Sequence, residues 1–506
     1  MSEAAGPHLH LSAMLADAAA RHADRPALVV KERTFTYRQL DDLASGLARG
    51  LASNACVAAG DRVALQMPNS WEYVAAVFAL ARLGATAVPL SVMLTAPEIR
   101  DAVTGAGARL LLASRLKGEA AASLVGSSSI ERVLVLADDA KGSGPTLQSL
   151  IEAPGSLPYV TRSPDEVASI VYTSGTGGKP RGAELTHRAL VTGARMTAQV
   201  HGRTHEDVTV TALPLPHVYG TAVVNATLAS GGTVVLLKQF SEAEIVRSVT
   251  RHRATMIDGV PAMYAHLVKY PGLAAADLSS LTRCTVGGAD ITREKLLELE
   301  ERFGVPFLEI WGMTELAGIG LCRALGAERR ESSYGRLLPS LELRVVDPAP
   351  PHAALAEGDV GELSVRGPTV MRAYHGDAAT TADVRDENGW LRLSTIGKVD
   401  GDGYVFVLGT TRRLINTAGY KVYPAEVEQV LGAHAAIAVA LVVPEPDELR
   451  GEIARAYVVL ELGGAATEAE LLAFCRQRLA AYKVPAGVSI VVALPVAAPT
   501  GDAHAH

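Results

Sequence analysis

Cysteine is scarce in this chain: four in 506 residues (Cys56, Cys284, Cys322 and Cys475), far apart and forming no Cys-x-x-Cys pair. That spacing argues against a metal cluster and favours a reducing compartment, without deciding on disulfides. No run of about 18 uninterrupted apolar residues occurs, and no basic segment followed by an apolar one opens the chain, so neither a membrane span nor an export signal is expected. Positive charge is not in excess either. Forty-seven Lys and Arg stand against 54 Asp and Glu, a net charge of −7 mixed along the chain, and without a basic stripe nucleic acid is not an expected partner. The cytoplasm is the expected compartment, and a homodimer the expected assembly on frequency alone.

What is present is bulk and order. With 48% hydrophobic composition over 506 residues, the chain can bury several cores and should hold two to four structural units. Helical patterns at Tyr37–Ala52 and Ser70–Leu83 alternate with short apolar runs at Arg62–Gln66 and Ala85–Leu90. The alternation recurs at Val208–Leu213, Thr233–Leu237, Ala254–Asp258 and Cys284–Val286, which predicts βαβ units and a large mixed α/β body. Between about 333 and 408, short strands (Leu341–Val346, Gly361–Val365, Tyr404–Leu408) are separated by Gly, Pro and Asp turns. Beyond Gly409–Arg413 the chain restarts as a smaller α+β module, with helices expected near 425–432 and 467–480 and strands near 437–443 and 453–461. The expected division is therefore an N-terminal domain over 1–408, a hinge at 409–413 and a C-terminal lid over 414–506.

The densest chemistry lies in Tyr172–His187, where Thr173, Ser174 and Thr176 interleave with Gly175, Gly177 and Gly178 after an apolar strand. Glycines let backbone N–H groups approach an anion, hydroxyls add donors, and Lys179 and Arg181 add charge. It is not a Walker A loop, because Thr173 and Pro180 occupy places where Gly and Ser or Thr are required. Taken alone, the stretch reads equally as a turn or as a phosphate cradle.

Further motifs follow in order: Leu213–His217 (Leu-Pro-Leu-Pro-His), Gly287-Gly288-Ala289, Trp311-Gly312-Met313-Thr314-Glu315, Gly361–Gly367, Gly389–Arg392, Asp400–Tyr404 and Gly419–Glu428. This succession resembles the adenylate-forming superfamily of acyl- and aryl-CoA synthetases, nonribosomal-peptide adenylation domains and luciferases, from about residue 10 to about residue 500. The resemblance implies a large α/β domain carrying a small distorted β-barrel at about 333–408, followed by a mobile α+β lid. It implies an enzyme that uses ATP and Mg2+ to form an acyl-adenylate from a small aryl or fatty acid and passes it to CoA or to the phosphopantetheine of a carrier protein. Thr314 would donate to the α-phosphate, Glu315 would bind magnesium and Lys179 would serve the phosphates. Gly287, Gly288, Ala289, Trp311 and Gly312 would flank adenine; the family's usual Tyr is Trp311 here, which keeps a stacking face. His217 resembles the residue that opens or shuts the substrate channel. Val218, Tyr219, Thr221, Val260, Gly318 and Gly320 are candidates for the acid pocket, and Gly419-Tyr420 resembles the segment under a pantetheine arm.

Four charges that the family carries are missing. Thr395 stands where an Asp holds the ribose, Thr410 where an Arg supports it, Arg413 where an Asp forms the pivot, and Asp502 where a Lys bridges carboxylate and α-phosphate. Losing one preorganised donor to developing charge typically costs about 100- to 1000-fold in rate. Lys398, Arg412, Arg413 and Lys483 are the candidate compensating cations. Three alternatives stay open beside the ligase: ATP-dependent diazotisation with nitrite as the acid, ATP-independent acyl transfer or thioester hydrolysis, and a non-catalytic paralogue.

Overall fold

The computed structural model describes residues 9–114, 121–136, 147–153, 162–173, 180–410, 415–422, 424–492 and 494. Two sheets form the body of the large domain. One has six strands, in spatial order Arg132–Val135, Leu110–Ala113, Arg62–Gln66, Thr86–Pro89, Val167–Thr173 and Arg181–Thr186. All its pairings are parallel except the last, an antiparallel hairpin. The other has nine strands, with a parallel centre running from Phe307–Met313 through Arg283–Gly287, Met256–Gly259, Val208–Thr211 and Thr233–Leu236 to Pro26–Val30, and antiparallel strands at both edges. Central strands such as Thr233–Leu236 and Leu110–Ala113 are buried along their whole length, as parallel strands covered on both faces require.

The helices between them begin and end where local chemistry dictates. Tyr37–Ala55 opens with a reciprocal capping box between Thr36 and Gln39, and Trp71–Leu83 starts on the Ser70 hydroxyl and stops at Gly84, whose φ of 68° suits the left-handed cap. Ser70, expected inside that helix, is thus its cap.

The segment expected as a small distorted barrel is a bulged four-stranded antiparallel sheet, in order Glu342–Val346, Gly361–Arg366, Leu391–Val399 and Val405–Thr410. Leu391–Val399 is an element that sequence reading did not anticipate. Residues 391, 393, 395 and 397 turn inward in strict alternation, but with Thr and Gly in half of those places the inward face carries little hydrophobic signal.

The small domain holds a five-stranded sheet built on the long hairpin Ile437–Asp447 and Gly451–Leu460, with Gly487–Ile490 parallel to the latter and Ile415–Thr417 and Tyr420–Val422 completing it. The helices Pro424–Gly432 and Glu468–Arg476 bury Val427, Leu431, Leu471 and Cys475 against this sheet. Among the described residues, no helix is long and apolar enough to cross a membrane.

Candidate active site

Four strands of the nine-stranded sheet, Val208–Thr211, Met256–Gly259, Arg283–Gly287 and Phe307–Met313, are mutually parallel. Their carboxyl ends therefore share one edge, which is where open α/β sheets form ligand crevices. Each strand delivers a sequence-predicted group there: Thr211 leads to His217, Gly259 to Val260, Gly287 to Gly288 and Ala289, and Met313 to Thr314 and Glu315. Gly312 is the tightest point, since a Cβ there would lie 1.8 Å from the Gly318 carbonyl oxygen. Any side chain would push the strand after Glu315 away.

Glu315 sits on a one-turn helix, Thr314–Leu316, closed by the Ala317 N–H donating to the Thr314 carbonyl at 2.9 Å. It is 7% exposed. Its backbone carbonyl accepts from Met371 N–H at 2.8 Å, and its carboxylate Oε1 accepts from the Tyr374 hydroxyl at 2.8 Å. Tyr374 bridges in turn to Ala183 on the strand Arg181–Thr186, and the Arg181 guanidinium lies 5.6 Å from the Tyr374 ring. That strand packs against the one-turn helix of Glu315, and Arg181 is the register partner of Thr173. The stem of the glycine-rich loop is therefore beside Glu315. Ser174, Gly175, Thr176, Gly177, Gly178 and Lys179 lie outside the described residues.

His217 is the N-cap residue of the helix Val218–Ala229, accepting from Thr221 N–H through its carbonyl at 3.2 Å. Val218 and Tyr219 are buried behind it. A hydrogen-bonded chain fixes the Tyr219 ring: its hydroxyl is 2.9 Å from Thr285 Oγ1, which donates to Asp258 Oδ1 at 2.5 Å, and Asp258 is paired with Arg203 at 2.7 Å with both side chains fully buried. Burial raises the Tyr219 hydroxyl well above its ordinary pKa, so it stays a neutral donor. Gly318 packs on Ala222 and the Val218 carbonyl, and Gly320 on Leu316 and the Trp311 ring. These groups form a mostly apolar wall. The Arg203–Asp258 support was missed in sequence, although Asp258 closing the apolar run Ala254–Asp258 was its signal.

The small domain closes over this edge. Gly419 turns the hairpin of Ile415–Thr417 and Tyr420–Val422 at φ 84°, and a Cβ there would meet Val260 Cγ1 at 2.9 Å. A Cβ on Gly288 would in turn lie 4.0 Å from the Gly419 Cα. Tyr420 stacks on Tyr482 with centroids 4.5 Å apart. Beside Tyr482, Lys483 donates to Glu98 of the large domain at 3.0 Å and to Glu426 of the small domain at 2.7 Å, with its side chain 4% exposed. Burial alone would lower its ammonium, but the anionic groups around it outweigh that and hold it above its ordinary pKa. Lys483, a candidate compensating cation, is thus committed to two carboxylates in this arrangement.

Thr395, Lys398 and Thr410 lie on strands of the four-stranded sheet. Thr395 is buried and turns its hydroxyl onto the Leu393 carbonyl at 3.2 Å, with Thr410 as its register partner on the neighbouring strand. The preceding Ser394 takes φ 52° where the resemblance places Gly. Lys398 lies 5.5 Å over the Phe406 ring. Arg412, Arg413 and Asp502 lie outside the described residues.

The AMP-binding enzyme family matches residues 15–375, and the AMP-binding enzyme C-terminal domain matches residues 426–499. The chain belongs to the AMP-binding enzyme family. It is 33% identical over 93% of both chains to a 3-[(3aS,4S,7aS)-7a-methyl-1,5-dioxo-octahydro-1H-inden-4-yl]propanoyl:CoA ligase of Mycobacterium tuberculosis. It is also 34% identical to a feruloyl-CoA synthase of Amycolatopsis, over 91% of both chains. Among solved structures it matches o-succinylbenzoate CoA synthetase from Bacillus subtilis with a TM-score of 0.84 at 29% identity, covering 96% of each chain. It matches an amide bond synthetase from Marinactinospora thermotolerans with a TM-score of 0.87 at 29% identity, again covering 96% of each. This AMP-binding enzyme is accordingly an adenylate-forming enzyme of the AMP-forming acid–thiol ligase class, and an ATP- and CoA-using ligase activity is the one its relatives support.

The donor set around Glu315 suits a magnesium ion of a particular kind. Among the described residues, no three His, Cys, Asp or Glu side chains converge to cage a metal, and Glu315 has one carboxylate oxygen anchored by Tyr374. An anchored carboxylate beside the stem of the glycine-rich loop is the hard oxygen donor that a magnesium ion takes.

Proposed function

We propose that this enzyme activates a carboxylic acid with an apolar, ring-bearing body as its acyl-adenylate and transfers the acyl group to CoA. The observation that carries the reading is the convergence of His217, Val260, Gly288, Thr314 and Glu315 on one strand-end edge, closed by Gly419 of the small domain. The acids named for three of the relatives, the indenyl-propanoyl, feruloyl and indoleacetate ligases, are ring systems joined to a carboxylate, and the wall formed by Val218, Tyr219, Val260 and Gly318 offers such acids apolar surface.

In the first step an acid oxygen attacks the α-phosphorus of ATP, an O–P bond forms and pyrophosphate leaves. Thr314 donates to the α-phosphate, and Glu315, held by Tyr374, orients toward the metal site. Bound there, magnesium would neutralise phosphate charge. Trp311, Gly288 and Ala289 enclose the adenine. In the second step the thiol sulfur attacks the acyl carbonyl, the bond to AMP breaks and the thiol proton goes to solvent; the Gly419-Tyr420 turn would support the pantetheine arm. Transfer to a carrier protein instead of CoA is the finer alternative for the acceptor. The nitrite and ATP-free readings gain no support from the relatives.

The test is pyrophosphate release across aryl-propanoic, cinnamic, indole-acetic and fatty acids, with and without CoA. Release that requires an acid, together with a new acyl-CoA, supports the reading. No release with any acid, or thioester turnover without ATP, would overturn it.

A further inference from the structure

Lys483 joins carboxylates 385 and 57 positions away in sequence, one on each domain. A buried ion cluster of this kind contributes little net stability compared with apolar packing, because each ion loses its hydration. Here the cost is greater still: two carboxylates share one cation, and among the described residues Glu426 Oε2 is buried without a partner. What the cluster supplies is placement. Its geometry exists in one relative orientation of the domains, and in that orientation Gly419 sits on Val260.

The linkage can be followed atom by atom. Glu98 belongs to the helix Ala96–Ala106 of the large domain, where Oε2 accepts from Thr95 N–H at 2.8 Å as part of a capping box, leaving Oε1 for Lys483. Thr95 Oγ1 is 2.8 Å from Glu98 Oε2, its nearer acceptor, and 3.3 Å from the Arg478 carbonyl across the same contact. Lys483 follows Tyr482, whose ring stacks on Tyr420, and Tyr420 follows Gly419 at the cleft. If the domains part, Lys483 and Glu426 remain a neutral pair within the small domain, and Glu98 retains its own helix cap. Neither half is stranded, so the contact can open and re-form.

We propose that Lys483 is a positioning residue for thioester formation: by gripping Glu98 across the domain boundary and Glu426 within its own domain, it seats the Tyr482–Tyr420–Gly419 chain over Val260 and Gly288. This rests on the ligase reading for its catalytic consequence, though not for its geometry. The enzyme should therefore use Lys483 in its second half-reaction and not in its first.

Glu98→Gln is the informative variant, because Gln also serves at the third position of a capping box and only the ion pair is lost. Spin labels at Ser127→Cys and Leu462→Cys, both exposed, in a Cys56→Ser background, report the interdomain distance directly. The expected result is a distance distribution that shifts or broadens in Glu98→Gln relative to the parent. Thioester formation from preformed acyl-adenylate and CoA should slow about tenfold in kcat, with acid-dependent pyrophosphate exchange unchanged. Lys483→Arg should recover most of what Lys483→Met loses, by both readouts. An unchanged distance distribution in Glu98→Gln would overturn the proposal, as would a shifted distribution with an unchanged thioester rate. An enzyme that makes no thioester with any acid would instead sink the ligase reading, while the distance measurement still decides the clamp.

Discussion

On the strand-end wall of the cleft, chemistry-bearing groups stand at the ends of parallel strands, and their positions follow from sheet register: Gly288 is where it is because Arg283–Gly287 pairs with Phe307–Met313. The four-stranded sheet, which the resemblance makes the other wall of the nucleotide site, holds Thr395 and Thr410 as register partners, and neither brings a charge. The first wall keeps its expected phosphate-side groups. The second carries neutral hydroxyls where the resemblance expects an Asp and an Arg on the ribose, and Thr395 spends its hydroxyl on the Leu393 carbonyl. On the proposed reading, activation should rest chiefly on the strand-end wall, and the variants below test whether the other wall holds the nucleotide less tightly.

The strongest way to break that comparison is Glu315→Gln. Gln still accepts a hydrogen bond from Tyr374, so the fold should hold, but the negative charge is gone. Pyrophosphate exchange should fall by about 100- to 1000-fold. A change of only a few-fold would place the metal elsewhere and move the activating groups off the strand-end wall.

Restoring the other wall should act in the opposite direction and more gently. Thr395→Asp alone buries a carboxylate in the barrel sheet and should destabilise by about 1–3 kcal/mol. Paired with Thr410→Arg on the adjacent strand it gains a counter-charge, and the KM for ATP should drop by about tenfold, roughly one strong charge-assisted contact. A rise in KM for the double variant would mean that the hydroxyl pair is itself fitted to this enzyme's nucleotide.

Tyr374→Phe tests how the strand-end wall is held. Removing one hydrogen bond to a buried charged group is worth about 1.5–3 kcal/mol at most, so a several-fold rise in the Mg2+ concentration needed for half-maximal pyrophosphate exchange is expected, with the KM for the acid unaltered.

These tests follow the line between what was legible in sequence and what was not. The strand-end groups were legible because each motif is contiguous: Thr314 and Glu315 follow Trp311 directly, and Gly288 follows its own strand. Tyr374 was invisible because it reaches Glu315 from 59 residues away, and no local pattern encodes such a contact. Lys483 was noticed only as a spare cation, since nothing near it in sequence announces Glu98. The strand Leu391–Val399 was hidden for a different reason. Its inward Thr395 and Gly397 break the apolar alternation that pattern reading depends on, and those same residues mark the altered wall.

The smallest expected effect separates the domains by acid. His10 and His187 stack at 3.5 Å between centroids in the large domain, and burial pushes His10 down to about 4 and His187 well below its ordinary value. An unfolded histidine takes up its proton near pH ~6.5. Between there and about pH 4 the unfolded chain binds more protons than the folded one, so this contribution to stability is complete above ~6.5 and is lost as pH falls. Calorimetry at decreasing pH should show the large domain's transition moving down through that window. His10→Asn keeps an acceptor for the Ser12 N–H that His10 now caps while removing one titrating ring, so the slope with pH should shrink. A slope unaffected by that change would assign the acid sensitivity to carboxylates such as Asp207, held below its ordinary value chiefly by Arg283 and Thr255 against the opposing effect of burial, and the histidine stack would then carry no part of the difference between the two domains.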